Sequence, residues 1–195
     1  PPRSTRKESS AASDVYKRQM SARVMNILEG FVPEIEIYSI DEAFLGLDSL
    51  EEHYNLYDFG CHMRGLVRQW TGVPVRIGIA PTKTLTKIAL NEIKKLNIPT
   101  KVHQISTRQE IRKVLVNTPV HEVWGVGRRL TEHLNKAKIT NALQLAEVDP
   151  QHIRRKFNVV LERTVRELRG QRCLNIEDNI SAKKQIVVSR SFGTR

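Results

Sequence analysis

The chain has 195 residues, 39% of them hydrophobic and 27% charged, with a formal net charge of +11, which is enough apolar sequence for one or two small cores. It has no run of about 18 apolar residues to span a membrane and no apolar N-terminal stretch to direct secretion. The two cysteines, Cys61 and Cys173, are too few for a disulfide framework or a zinc cluster, so a reducing cytoplasm is the expected compartment.

Charge is placed unevenly: residues 20–60 hold one basic residue, Arg23, against nine acidic ones, whereas residues 61–195 hold 26 Lys and Arg against ten Asp and Glu. The acidic stretch suits a cation and the basic remainder suits phosphates. Nucleic acid therefore leads among the expected partners, with ribosome or membrane-surface binding as alternatives for so basic a chain.

In chain order, residues 1–19 are rich in Ser, Ala, Arg and Lys without an apolar period and read as disordered. The stretch Ser10-Ala11-Ala12-Ser13-Asp14-Val15-Tyr16-Lys17-Arg18-Gln19 resembles translated sequencing adapter, which would make it a non-native leader; a real flexible tail is the alternative. A short helix is expected over Ser21–Leu28, ended by Gly30 and Pro33. Ile35 and Ile37 then alternate with Glu34, Glu36 and Tyr38, and Phe44, Leu45 and Leu47 follow, a strand, tight turn and strand with Asp41 and Glu42 at the hinge.

Neighbouring side chains of a regular strand point to opposite faces, so Asp41 and Glu42 can converge on one ion only if the turn breaks that alternation. Held about 5 Å apart at an effective dielectric of about 20, the two carboxylates repel by roughly 3 kcal/mol, which a divalent cation turns into attraction. On these two residues alone, an Asp-Glu cap on an exposed hairpin is an equally good reading.

Phe59, Met63, Leu66 and Trp70 recur at helical spacing and Gly72 follows, predicting an amphipathic helix over 56–71 with that stripe in the core. Val75, Ile77 and Ile79 predict a strand, and Ala80-Pro81-Thr82 the cap of another helix. One sheet covered by helices is expected to this point. Beyond about residue 105 short helices follow one another to Gly170, among them one capped by Asp149-Pro150 and one marked by Leu161, Val165 and Leu168. Residues 171–183 read as a polar linker, and Ile186–Val188 as a further strand.

The octapeptide Tyr38-Ser39-Ile40-Asp41-Glu42-Ala43-Phe44-Leu45 closely resembles the palm motif of the Y-family translesion DNA polymerases, and more narrowly of the UmuC-like catalytic subunit of the SOS polymerase. Three later segments resemble the same family in order. Gly78-Ile79-Ala80-Pro81-Thr82-Lys83-Thr84-Leu85-Thr86-Lys87-Ile88-Ala89 is similar to the strand-to-helix segment near the incoming nucleotide, and Val123-Trp124-Gly125-Val126-Gly127-Arg128-Arg129-Leu130 to the helix-hairpin-helix of the thumb. Lys184-Gln185-Ile186-Val187-Val188-Ser189-Arg190-Ser191-Phe192-Gly193 is similar to the start of the little finger.

The resemblance implies an α+β fold: a partial polymerase palm over 20–105, an all-α helix-hairpin-helix thumb over 106–170, and the first strand of a little finger in 184–195. It implies a DNA-directed DNA polymerase of the SOS response and DNA repair, with primer-template DNA and a deoxynucleoside triphosphate as partners. A sliding clamp and an accessory subunit are implied for the full-length protein only. Asp41 and Glu42 would be two of the three carboxylates that hold two magnesium ions. The third belongs, in the family, to a first strand that also brings the steric-gate aromatic residue; that strand is missing here and Asp14 has no strand around it to stand in, so the fragment is expected to be inactive or nearly so.

Lys87 matches the lysine that contacts the triphosphate, with Lys83 a weaker candidate; for both, a solvated helix face is the competing reading. Thr86 and Gly46 stand where the family usually has alanine and aspartate, and neither is expected to disable. Gly125 and Gly127 would form a turn whose backbone N–H groups grip a phosphate, helped by Arg128 and Arg129, with Leu130 and Leu134 continuing the helix and Thr140 capping the next. Arg190 would touch template backbone or be an ordinary surface arginine. Two other classes compete. One is a non-enzymatic helix-hairpin-helix DNA-binding protein; the other is a palm-type nucleotidyl cyclase, which has no use for a thumb.

Overall fold

A helix of 26 residues, α1 (Ser4–Glu29), opens the computed structural model, which describes residues 4–176. Continuous helix replaces the disorder expected before residue 20 and the short helix expected after it. No Gly or Pro lies between Ser4 and Glu29, and Ala, Arg, Lys, Glu and Gln in that stretch all favour helix. Val24 and Met25 are buried, whereas residues 14–19 are exposed. Gly30 closes the helix, its N–H donating to the Ile27 carbonyl at 3.1 Å.

The acidic segment forms the expected hairpin. β1 (Ile35–Ser39) pairs antiparallel with β2 (Glu42–Leu45) around the two-residue turn Ile40–Asp41, and the register slips between Ile37 and Ser39. That slip breaks the side-chain alternation at the hinge. α2 (Leu56–Thr71) has the predicted bounds, with Asn55 at its N-cap and Gly72 at φ 73° beyond its last turn. Its buried face is Gly60, Met63 and Val67, rotated from the expected stripe, so that Trp70 is exposed.

β3 (Ile77–Ile79) runs parallel to β4 (Val102–Gln104), a three-residue strand too short for its alternation to show in the sequence. Between them α3 (Lys83–Lys95) starts at the cap Thr82, whose side chain accepts from the Leu85 N–H. A Cβ on Gly78 would lie 2.7 Å from the Thr86 carbonyl oxygen, so glycine is what lets α3 pack this closely on β3. The expected single sheet is instead two two-stranded sheets among the described residues. A groove of about 1470 Å³ lies between them, lined by residues of both β2 and β3 and by Val24 and Met25 of α1.

The rest is helical: α4 (Arg108–Val116), a short 3-10 turn (Val120–Glu122), α5 (Arg128–Lys136), α6 (Ala142–Glu147), α7 (Pro150–Lys156) and α8 (Val159–Leu168). Asp149 caps α7 with Pro150 in its first turn, as the sequence suggested. Asn141, not Thr140, caps α6, its amide oxygen accepting from the Gln144 N–H at 2.8 Å. Thr140 instead donates its backbone N–H to Gln144 Oε1 at 2.7 Å.

Buried Leu85, Ile88 and Ala89 of α3 join Leu134, Leu145, Leu161, Val165 and Leu168 in one continuous core. Burying each such Leu or Ile contributes about 1.5–3 kcal/mol. The helical half is therefore seated on the helix that leads out of β3. The expected strand at 186–188 and Arg190 lie outside the described residues.

Candidate functional site

The hairpin presents its two acids differently. Asp41 sits exposed in the turn, where the Ser39 hydroxyl donates to Asp41 Oδ1 at 2.6 Å and fixes the rotamer. Glu42, the first residue of β2, is half-buried and accepts from Lys87 Nζ at 2.7 Å. One turn into α3, the Lys87 ammonium also lies 4.7 Å from the Tyr38 ring centroid, 5.3 Å from Phe44 and 5.6 Å from Trp124. Three ring faces and one carboxylate thus hold a cation at the hinge.

Trp124 was not singled out by the sequence. The available signal was an aromatic residue directly before Gly125, and the structure stacks it edge-on to Tyr38 at 5.6 Å and tilted on Phe44 at 5.7 Å. The Trp124-Gly125 turn and the acidic hairpin therefore meet around Lys87.

Lys83 has a different part. It is buried, ion-paired with Glu36 of β1, and donates to the Asn175 carbonyl at 2.6 Å, so its ammonium ties the hairpin and the segment after α8 to the start of α3. Gly46 is explained by packing: a Cβ there would lie 2.6 Å from Glu34 Oε2, so Glu34 already fills the space that a side chain would need. Nearby, Arg172 makes a two-pronged pair with Asp48, one prong 2.8 Å long. The guanidinium's hydrogen bonds hold the Asp48 carboxyl below the usual carboxylate range.

Asp41 and Glu42 offer hard oxygen donors of the kind magnesium takes, together with water and substrate phosphates. Among the described residues, no group of three or more His, Cys, Asp or Glu side chains is placed to hold a metal ion. Two carboxylates by themselves supply only part of the ligand set of a divalent ion.

At the other end of the contact, Gly125 takes φ +87°, a conformation natural to glycine. Gly127 is the N-cap of α5 and makes no side-chain cap hydrogen bond, and a Cβ built on it meets nothing within 4 Å. The first N–H groups of α5 have no intrahelical acceptor, as at any helix start. The Arg128 side chain is 93% exposed and meets only its helix neighbour Glu132, at 3.2 Å, and Arg129 is exposed beside it. No described helix is long and apolar enough to cross a membrane.

The sequence pattern of the impB/mucB/samB family matches residues 12–91. The chain is 50% identical over 177 residues to Protein UmuC of Salmonella typhimurium, covering 90% of this chain and 42% of that protein. It is 48% identical over 178 residues to Protein ImpB of the same species, again covering 42% of that protein. The chain thus spans less than half the length of the curated relatives it matches. Its fold is shared with a Y-family DNA polymerase chimera at a TM-score of 0.68, with 20% identity over 84% of this chain and 47% of that one. Half of the residues aligned with UmuC are thus identical, and the chain is similar to impB/mucB/samB proteins over 90% of its own length while sharing the fold of a Y-family DNA polymerase structure.

Proposed function

We propose that this chain is part of an error-prone translesion DNA polymerase of the SOS response, a cytoplasmic enzyme that adds deoxynucleotides to a primer opposite damaged template. The observation that carries this reading is the meeting of Asp41 and Glu42, Lys87 and the Trp124-Gly125 turn in a chain so similar to UmuC. The hairpin is the palm edge and α4 to α8 the thumb.

Asp41 and Glu42 would hold two magnesium ions; when bound, such ions lower the pKa of the primer 3′ hydroxyl and offset charge on the leaving pyrophosphate. Lys87 is held on Glu42 and in the aromatic box; on nucleotide binding its ammonium turns from Glu42 to the triphosphate and offsets charge developing there. The open N-terminus of α5, with Arg128 and Arg129, grips the duplex backbone without reading sequence. The third carboxylate comes from a further strand, for which the groove between β2 and β3 leaves room. A sliding clamp and an accessory subunit are partners of the full-length protein only.

A second reading, a DNA-binding protein without catalysis, is favoured by Glu42 being already neutralised by Lys87 while the thumb turn stands open. Primer extension with magnesium separates the two. Activity is expected when a Y-family first strand is restored to the chain and is expected to vanish again on Asp41→Ala. Duplex binding with no extension in either form would favour the second reading.

A further inference from the structure

Glu167 of α8 is a carboxylic acid with a fully buried side chain that no step above uses. Its two oxygens divide their work between a segment 83 residues away and the segment that follows its own helix. Oε2 accepts from the backbone N–H and the hydroxyl of Thr84, both at 3.0 Å. Oε1 accepts from the backbone N–H groups of Cys173 and Leu174, both at 3.0 Å. The Glu167 backbone carbonyl also accepts from the Thr82 hydroxyl at 2.9 Å. Four donors converge on one group, an arrangement that only an acceptor-only carboxylate satisfies.

Thr84 lies in the first turn of α3, where backbone N–H groups have no helical partner and the helix dipole favours negative charge. One turn later on the same helix comes Lys87. Cys173 and Leu174 open the segment that leads to the little finger, and the next residue, Asn175, accepts from Lys83 of that same first turn. The thumb helix, the first turn of α3 and the outgoing linker are therefore locked at one carboxylate.

We propose that Glu167 is a positioning residue: it joins the thumb and the linker to α3, so that a duplex held at Gly127 sets where Lys87 stands relative to Glu42. The proposal rests on the polymerase reading for its consequence, while the joint itself does not. Glutamine is the informative replacement. Its carbonyl can serve one pair of donors, but its NH₂ then faces the other pair and leaves buried N–H groups unsatisfied.

Hydrogen exchange on the full 195-residue chain tests the joint. In Glu167→Gln, the amides of Thr84, Cys173 and Leu174 should exchange faster by about tenfold or more, while those of α5 to α7 keep their rates. Unchanged exchange at those three amides would overturn the proposal, and so would equal loosening throughout the thumb, which would make Glu167 an ordinary core residue. If Glu167→Gln does not fold, Thr84→Val removes only the hydroxyl donor and should move the same amides in the same direction by less.

In the strand-restored protein, Glu167→Gln should raise KM for the nucleotide by about tenfold with duplex affinity unchanged within about twofold. Equal KM in the two proteins would refute the coupling to Lys87. A restored protein with no extension activity would count against the polymerase reading, and hydrogen exchange would still decide whether the joint exists.

Discussion

The lysines of α3 and the arginines of α5 belong to the same basic stretch of sequence, yet the fold uses them in opposite ways. Lys83 and Lys87 face inward onto Glu36 and Glu42, whereas Arg128 faces water with 93% of its side chain exposed. The acidic hairpin and α3 thus neutralise each other, while the start of α5 keeps its charge at the surface. Net charge predicts attraction to nucleic acid, but an exposed arginine such as Arg128, whose pair with Glu132 lies at the surface, is better placed to reach a phosphate than a buried, paired lysine.

The largest effect tests whether the two regions are separate at all. Leu85 of α3 and Leu134 of α5 are both fully buried in the shared core. Leu85→Ala and Leu134→Ala should each destabilise by about 2–5 kcal/mol, and circular dichroism and tryptophan fluorescence should still report one coincident urea transition. Two transitions, each moved by one of the substitutions, would divide the molecule where the shared core says it is continuous.

An intermediate effect sharpens the contrast in charge. If the thumb side neutralises about five phosphates, log K for duplex should fall against log salt with a slope of about −4 to −5. Gly127→Val should keep the fold, because its side chain enters open space, at a cost of about 1 kcal/mol for a poorer N-cap on α5. Duplex affinity should drop by about tenfold on every sequence alike, because the new side chain stands between the α5 N-terminus and a backbone phosphate. Fluorescence anisotropy on several duplexes measures this, and a sequence-dependent loss would contradict backbone gripping.

The smallest effect concerns the Asp48–Arg172 pair on the hairpin side. Because hydrogen bonds from Arg172 lower the Asp48 carboxyl in the folded protein, its contribution is present above the unfolded value of about 3.9 and is lost as pH falls through the lower folded value. Both side chains are more than half exposed, so screening limits the contribution to below about 1 kcal/mol. Asp48→Asn should lower Tm slightly at neutral pH and match the parent protein once pH falls below the lowered folded-state value. A deficit that persists unchanged in acid would mean that packing, not charge, was lost.

Much of the fold was legible because it rests on local periodicity. The bounds of α2, the hairpin around Ile40–Asp41 and the Asp149-Pro150 start of α7 follow from residues close in sequence. β4 was not legible, since three residues carry no alternation to read and their partner β3 is more than twenty positions away. Residues 4–19 were misjudged because a polar segment without an apolar face can still be helical when nothing in it breaks a helix. The cap of α6 moved by one residue from Thr140 to Asn141, within the ordinary uncertainty of helix ends.

From the residues alone came the acidic pair at a turn, the glycines before α5 and the basic excess, each a matter of residue type and short spacing. Tertiary structure decided what those residues meet. Lys83 became a buried strut and Lys87 the centre of an aromatic box that includes Trp124, and Glu167 became a joint between segments 83 residues apart. Such contacts depend on how α3 lies against β3 and α8, and no local pattern specifies that geometry. Long-range hydrogen bonds and ring contacts form only when packing of the core brings distant segments together.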